Sequence, residues 1–546
     1  MLSPVRFSSC RGVAFEINRQ LRADPFAIEI PAAEVTPSNA IFWQSSSREF
    51  RTSFIERSLS KTSSHFCDLD PNEDDEEDTD SLQVVLEEGT DKEKQKQSPL
   101  PLLAISKREY PSKPAQNNSR LSIILLDQGL LTVYKRLFAV CLVLNMTGLV
   151  LAATGHFPYA RRRSSLFSIA NILALTLCRS EAFLRIIFWL AVKIFGRPWV
   201  PLFLKTATTS LLQSLGGKHS GCGVSSIAWL VYALVLTLKD RENTSPEIIG
   251  VASTILGLLC LSSLAAFPLV RHLHHNVFER THRFAGWTAL ALLWAFIILT
   301  ISYDPKTKSY KNDIGSMLIK ETVFWFTAAI TLLIILPWLT VRRVAVNVSA
   351  LSGHASIIKF EGGVKAGILG RISPSPLSEW HAFGIISDDK EHMMLAGAVG
   401  DFTKSLVSNP PSHLWVRQVH FAGLPYLVNM YERVVLVATG SGICVFLSFL
   451  LQKISADVCL VWVAKGIEQN FGKEIKEMVS GWPKEKVIVH DTGVLGRPNV
   501  SQLSIEAART WRAEAVIVTS NPEGSRDVVN ACKTVGIPAF GPIWDS

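Results

Sequence analysis

The sequence predicts an α-helical membrane domain of about six spans, followed by an antiparallel β-barrel and then an α/β doubly wound parallel sheet. Three observations carry this expectation. The 546 residues are 48% hydrophobic before glycine is counted, high for a soluble chain. Apolar runs near 137–154, 222–238, 249–270, 285–302 and 321–341 approach or reach the ~20 residues that cross a hydrocarbon core of ~30 Å. Beyond 430, "RVVLVATGSG", "VCLVWVAKG", "KVIVHDTG", "EAVIVTSNPEG" and "GIPAFGP" read as strands buried on both faces, the first four each followed by a helical stretch, as in a parallel sheet wrapped by helices.

The sixth span is read from 166–195, where Arg179, Glu181 and Arg185 interrupt the run and "CRSEAFLR" becomes an interfacial end. An even number of spans puts both termini on one side, taken as the cytosol of a multi-pass protein of the plasma membrane. Lys135, Arg136, Arg271, Arg280, Arg283, Arg342 and Arg343 fall on that side, against Arg161, Arg162 and Arg163 outside. The opening "MLSPVRFSSCRGVAFEINRQ" lacks the apolar region of a secretory signal.

Net charge is +8, with the acidic run "DPNEDDEEDTD" in the N-terminal segment and basic residues beside the spans, so membrane lipid is the expected partner of the positive charge. No basic stripe interleaved with aromatics is present, which excludes a nucleic-acid reader. The nine cysteines show neither Cys-x-x-Cys nor zinc spacing and are expected to be reduced. "RHLHHNVFERTHR", with His272, His274 and His275, reads as a basic cytosolic loop rather than a metal site.

Four segments follow: 1–133, a largely disordered tail of mixed Ser, Pro and charged residues, although "FAIEI" and "LQVVLEE" have strand character; 134–342, the membrane domain; 343–429, the barrel, from short β-prone pieces between Gly and Pro turns; and 430–546, the α/β domain. In that domain Gly440, Ser441 and Gly442 sit at the first strand-to-helix turn, where glycines let backbone approach a pyrophosphate and free amides receive its charge. In the barrel, His381, Phe383 and Ser387 offer hydrogen bonds and an aromatic wall to a flat ring. The segment after Gly400, with Thr403, can open a helix that receives a phosphate.

These motifs carry a resemblance. "HAFGIIS" resembles the flavin motif His-Pro-Phe-Thr-x-x-Ser of the ferric reductase and NADPH oxidase superfamily, "GDFTKSL" its Gly-x-x-Thr-x-x-Leu, and "VATGSGI" its nicotinamide-nucleotide turn. "GRISPSPLSEWHAFGII", "KHSGCGVSSIAWLVY" and "HDTGVLGRPNV" are similar to a fungal, TmpA-type group of transmembrane flavoproteins within it. The resemblance covers residues from about 134 to the end. It implies a ferredoxin-reductase-like module, with FAD and NAD(P)H as cofactors and nicotinamide nucleotide as a partner. Lys465, after the second strand, would face a 2′-phosphate and favour NADPH. Trp544 would cover the flavin.

The departures are as informative. Ala382 and Gly384 replace the proline and threonine of the flavin motif, and Ser520 stands where the superfamily carries a cysteine beside the nicotinamide. That superfamily holds two stacked haems on two histidines from each of two spans, 13 or 14 residues or ~20 Å apart. His219 and His282 match the cytosolic pair. Counting on from them gives Tyr232 or Ala233, and Ala295 or Phe296, none of which ligates iron. The expected activity is therefore hydride passage from NAD(P)H to FAD for a cytosolic acceptor or redox signal, with at most one inner haem and no transmembrane electron transfer. The alternatives are a ferric reductase or superoxide-generating oxidase, and a catalytically weak nucleotide-binding redox sensor or scaffold.

Overall fold

The computed structural model describes residues 5–8, 14–17 and 132–542, apart from 274, 313 and 389, with the side chains of 272–276 also outside the description. "FAIEI", "LQVVLEE", the acidic run, Trp544 and the side chains of His272, His274 and His275 thus lie outside the described residues. Near the start of the chain, β1 (Val5–Ser8) pairs antiparallel with β2 (Ala14–Ile17).

Among the described residues, five helices are long and apolar enough to cross a membrane: α1 (Val133–Ala153), α5 (Leu215–Lys239), α6 (Pro246–Ala265), α7 (His275–Ser302, apolar from Val277) and α8 (Thr322–Leu339). Local signals start some of them. The Thr132 hydroxyl accepts from Lys135 N, and Ser245 accepts from Ile248 N ahead of Pro246 at the first helical position, both preferred N-terminal arrangements. The expected sixth span is instead broken. α2 (Ser164–Leu177) ends before Cys178, and α3 (Glu181–Phe195) begins anew with Ser180 accepting from Phe183 N. At 14 residues, α2 reaches only ~21 Å, and the charges at 179–185 fall where the chain turns. A further helix, α4 (Leu202–Gln213), leads into α5.

α5 lies at the centre of the bundle against α1, α2 and α6. Its contact with α1 is backbone on backbone. A Cβ at Gly217 would lie 2.1 Å from Tyr134 O, and one at Gly221 would lie 2.9 Å from Cys141 Cβ, a small-residue spacing of four that permits such an approach. Gly217→Ala must force the helices apart and is expected to cost about 2 kcal/mol, read as a lower unfolding temperature in detergent; an unchanged transition contradicts this packing. Beyond α7, β3 (Tyr303–Asp304) and β4 (Ser309–Tyr310) form a short hairpin.

Residues 341–422 form two antiparallel sheets and not the closed barrel expected. One sheet has the order β10 (Ile386–Ser387), β11 (Glu391–Gly397), β7 (Ala355–Glu361), β6 (Asn347–Ala350). The other has β13 (Phe421–Ala422), β8 (Ile368–Ser373), β12 (His413–Arg417), β5 (Val341–Ala345), with β9 (His381–Gly384) on β8. The chain passes between sheets at Val346 and at Ile385. Among the described residues no ladder joins their outer strands, so the pairing does not close. α9 (Asp401–Ser408) follows β11.

The last domain is a five-stranded parallel sheet of order β16 (Val487–Asp491), β15 (Asp457–Ala464), β14 (Arg433–Thr439), β17 (Ala515–Thr519), β18 (Ala539–Phe540). β14 and β17 are almost wholly buried, which is why they read as unbroken apolar runs. α11 (Ile467–Ser480), α12 (Val500–Trp511) and α13 (Pro522–Thr534) cover the sheet. The first crossover is different. A 3₁₀ turn over Gly440–Val445 and the five-residue α10 (Leu447–Leu451) replace a full helix, and every side chain from 441 to 450 is buried.

Helices and β module meet at a buried charge cluster. Glu181 Oε1 is 2.5 Å from Arg371 Nε and 3.0 Å from Arg417 Nη1. Arg417 also lies over the rings of Trp338 and Trp380, and its guanidinium is pushed below its ordinary value by burial, against the pull of Glu181. A second bridge joins Arg280 to Glu379 at 2.8 Å, while Arg283 donates to Leu377 O. The basic residues in the first turns of α7 therefore face the β module, on a helix and not a loop.

Candidate nucleotide and electron-transfer site

The order β16-β15-β14-β17-β18 reverses between β14 and β17, so the crevice at their carboxyl ends is the topological switch point where open α/β sheets receive ligands. The chain places Thr439, Gly440 and Ser520 there together. Thr439 Oγ1 is 2.7 Å from Ser520 Oγ, and Trp462 Nε1 donates to Gly440 O at 3.0 Å. Asn521 caps α13 by accepting from Gly524 N. Ser520 is buried, whereas Thr439, Gly440 and Asn521 are half-exposed and form the rim. Sequence reasoning missed Thr439, Trp462 and Asn521, because what selects them is the meeting of separate strands, 22 residues apart for Trp462 and Gly440 and 81 for Thr439 and Ser520.

Ser441 and Gly442 do not line that rim. Both are buried against the β module, and a Cβ at Gly397 would lie 2.8 Å from Ser441 Oγ. The turn continues as 3₁₀ and then only one short helix, so no long helix stands behind it.

Lys465 is half-buried at the end of β15. Beside it stands an acidic residue that the linear order hid. Asp491, ending the neighbouring β16, accepts from Gly466 N (2.8 Å), Ile467 N (2.9 Å) and Gly493 N (2.9 Å). Burial works against its charge, but these three amides hold the carboxyl below the usual carboxylate range. The carboxylate is spent on the turn that positions Lys465.

The flavin-motif residues are brought to one seam between the β module and the 440–452 segment. His381 is buried with its ring stacked on Phe402 at 4.4 Å. Phe383 is buried too. The Ser387 hydroxyl donates to Glu391 O and accepts from Val364 N. Thr403 Oγ1 accepts from Gly400 N and Val399 N, so the phosphate-helix residues cap their own turn, and Asp401 places an acid in its first turn.

The fit to a flavin can be tested on the seam itself. A Cβ at Gly384 would lie 2.6 Å from Val445 Cγ1 and 2.8 Å from Val445 Cα and N. Ser448 Oγ donates to Ile385 O at 2.6 Å and accepts from Ser387 N, and Gln452 bonds Val364 O, Ser387 O and Ala366 N. Backbone packs on backbone at Gly384 and Val445, so a group placed between them requires the 440–452 segment to move.

The helix bundle holds the two candidate inner haem ligands side by side. His219 and His282 face each other with ring centroids 6.4 Å apart. His219 Nδ1 lies 3.0 Å from Leu175 O, and His282 Nδ1 lies 2.7 Å from Ser262 Oγ. Outer hydrogen bonds at one ring nitrogen leave the other for a ligand, as for metal-bound imidazoles. The donor set fits one bis-imidazole iron. No group of three or more metal-ligating side chains occurs among the described residues. Toward the other end the bundle is filled. Trp229, 1% exposed, stacks on Phe167 at 4.7 Å and shares Asn145 Oδ1 with Asn171. Tyr232 packs on Trp229, and Ile297, beside Phe296, is 1% exposed.

In the β module, His420 sits against His392, 5.8 Å between rings, and Arg185 donates to its carbonyl. Burial, with the charges of His392 and Arg185, pushes His420 down to about 4, against an ordinary value of 6.5. The unfolded chain binds the proton first, so stability is full above about pH 6.5 and falls as pH drops toward 4. His420→Gln should flatten that slope in denaturant titrations at stepped pH; an unaltered slope contradicts the assignment.

The fold and this site define a class: a two-sheet β module followed by a doubly wound α/β domain, joined to a bundle of apolar helices. Comparison with known proteins narrows it. Residues 424–546 match the family model for the C-terminal domain of adenylate-forming reductase 03009. Over 440 residues, 79% of this chain, it is 34% identical to Adenylate-forming reductase 03009 of Coprinopsis cinerea, covering 42% of that protein. Over 459 residues it is 33% identical to Adenylate-forming reductase 06235 of the same organism, covering 81% of this chain and 44% of that protein. The chain thus spans less than half the length of these curated relatives. Solved structures that align include phthalate dioxygenase reductase (11% identity, TM-score 0.29, covering 37% of this chain and 68% of that one) and a Plasmodium falciparum ferredoxin-NADP+ reductase mutant with 2'P-AMP (10%, 0.29, 37% and 96%).

Proposed function

We propose that the chain is a membrane-anchored oxidoreductase module of the NAD(P)H-linked flavoprotein class, which serves a cytosolic acceptor or a redox signal and sends no electrons across the bilayer. The observation that carries the one-sided reading is the packed core around Trp229, Asn145 and Asn171 where a second haem would need ligands and room. A single iron on His219 and His282 would leave most of a ~30 Å core to cross. Nicotinamide nucleotide is assigned to the rim of Thr439, Gly440 and Asn521, with Ser520 beneath it and Lys465 favouring NADPH. The reductase names of both relatives support the oxidoreductase class, and the sequence resemblance to TmpA-type flavoproteins supports the signalling role. The five apolar helices support the anchor.

A second reading, binding of nucleotide without flavin chemistry, is favoured by the closed seam at Gly384 and Val445. The two are separated by an absorption spectrum of detergent-purified protein before and after anaerobic NADPH. A flavin band that bleaches shows that the seam opens and supports the flavoprotein reading. A flavin that never bleaches, or no flavin with NADPH still bound, establishes the binding-only reading.

A further inference from the structure

Helix α3 is apolar on two opposite faces, and α4 continues its outer stripe. The inner stripe of α3, with Leu184, Phe188 and Ala191, joins the core of the reductase module, against β13 and the 3₁₀ helix over Leu424–Met430. α4 is pinned to that module by Thr209, 2.7 Å from Tyr431 Oη, and by buried Lys205, 4.0 Å from Glu514. The opposite stripe is also apolar and lies open: Ile186, Trp189, Leu190 and Ile194 on α3, then Trp199 and Phe203, each between 41% and 77% exposed. A helix apolar all round needs a second apolar partner, and the described residues supply none.

The surroundings say what that partner is. α4 leads straight into α5, one of the helices long enough to span a membrane, and packs beside α1, another. Between 181 and 213 the single acid is the buried Glu181, while Arg185, Lys193 and Arg197 are exposed, with Lys193 Nζ 4.9 Å over the Trp189 ring. Tryptophan with exposed lysine and arginine at the rim of an apolar stripe is the composition of a helix lying in a headgroup layer, with basic side chains toward anionic lipid.

We infer that α3 and α4 form an in-plane platform on the cytosolic bilayer surface, whose open stripe sinks between phospholipid headgroups and acyl chains while its other face carries the reductase module. This rests on the membrane reading of the bundle. It gives the module a fixed height and orientation over the leaflet, independent of the spans.

The test places the photocrosslinker p-benzoylphenylalanine at Ile194, Phe203 or Leu332 in the full chain, reconstituted in phosphatidylcholine and phosphatidylserine vesicles. Leu332 is 62% exposed on α8 and reports the spans. Lipid adducts by mass spectrometry at all three positions are expected. Adducts at Leu332 alone, or a crosslinked dimer through Ile194 or Phe203, overturn the platform and leave the membrane reading standing. No lipid adduct at Leu332 overturns the membrane reading and the platform with it.

Discussion

Glu181→Ala should destabilise the protein by about 3–5 kcal/mol, the cost of removing one partner from a buried ion cluster. Glu181 is 8% exposed and faces two guanidiniums, Arg371 at 2.5 Å and Arg417 at 3.0 Å. Without it, Arg417 remains between the rings of Trp338 and Trp380 with no counter-charge. The cluster joins the first residue of α3 to two strands of the β module, so its loss should loosen the helices from the module before either unfolds. Chemical denaturation should show a lower midpoint, and limited proteolysis should cut first near 178–181. An unchanged midpoint would mean that water replaces the carboxylate and that the junction is held by its apolar contacts alone. Glu181→Gln, which keeps the shape, should fall between the two.

Gly384→Thr, which restores the residue of the superfamily's flavin motif, is expected to cost about 3 kcal/mol, the upper end of overpacking penalties. Its Cβ would meet the Val445 backbone at 2.8 Å, and the backbone of β9 there imposes no special conformation, so the contact alone decides the effect. The strain can be relieved only if the 440–452 segment withdraws, breaking the Ser448 and Gln452 bonds to Ile385, Ser387, Val364 and Ala366. The variant should therefore show a lower thermal midpoint and a gain in flavin retained on purification. A variant as stable as the parent would show that the seam is already open in solution.

The parallel sheet was legible because β14, β15 and β17 are buried on both faces and so have no choice but to be apolar throughout. Helix number was less so. The run 166–195 has the hydropathy of a span, but Ser180 and Glu181 start a second helix whose reason is a contact with Arg371 and Arg417, some 200 residues away. Barrel closure depends on strand register, which hydropathy does not encode. At the site, Gly440 was found from its place at the first strand-to-helix turn and Ser520 from the family resemblance, while Asp491 was overlooked because it ends β16 and reaches across to the turn after β15. The glycine turn was recognised, but not that Ser441 and Gly442 face the β module; that follows from the closeness of Gly397 and Gly384, where absent side chains leave no signal except the glycine itself. The missing outer histidines were visible directly, and what fills their place, Trp229 on Phe167, needed the fold.

The central claim is that electrons delivered by the nucleotide stay on its own side of the membrane. It is tested most directly in sealed proteoliposomes, with NADPH added outside to the outward-facing molecules and ferricyanide either outside or trapped within. The account predicts no reduction of the trapped acceptor above protein-free vesicles, whatever the outer acceptor does. NADPH-dependent reduction of trapped ferricyanide, lost on His219→Ala or His282→Ala, would contradict it and establish a transmembrane path.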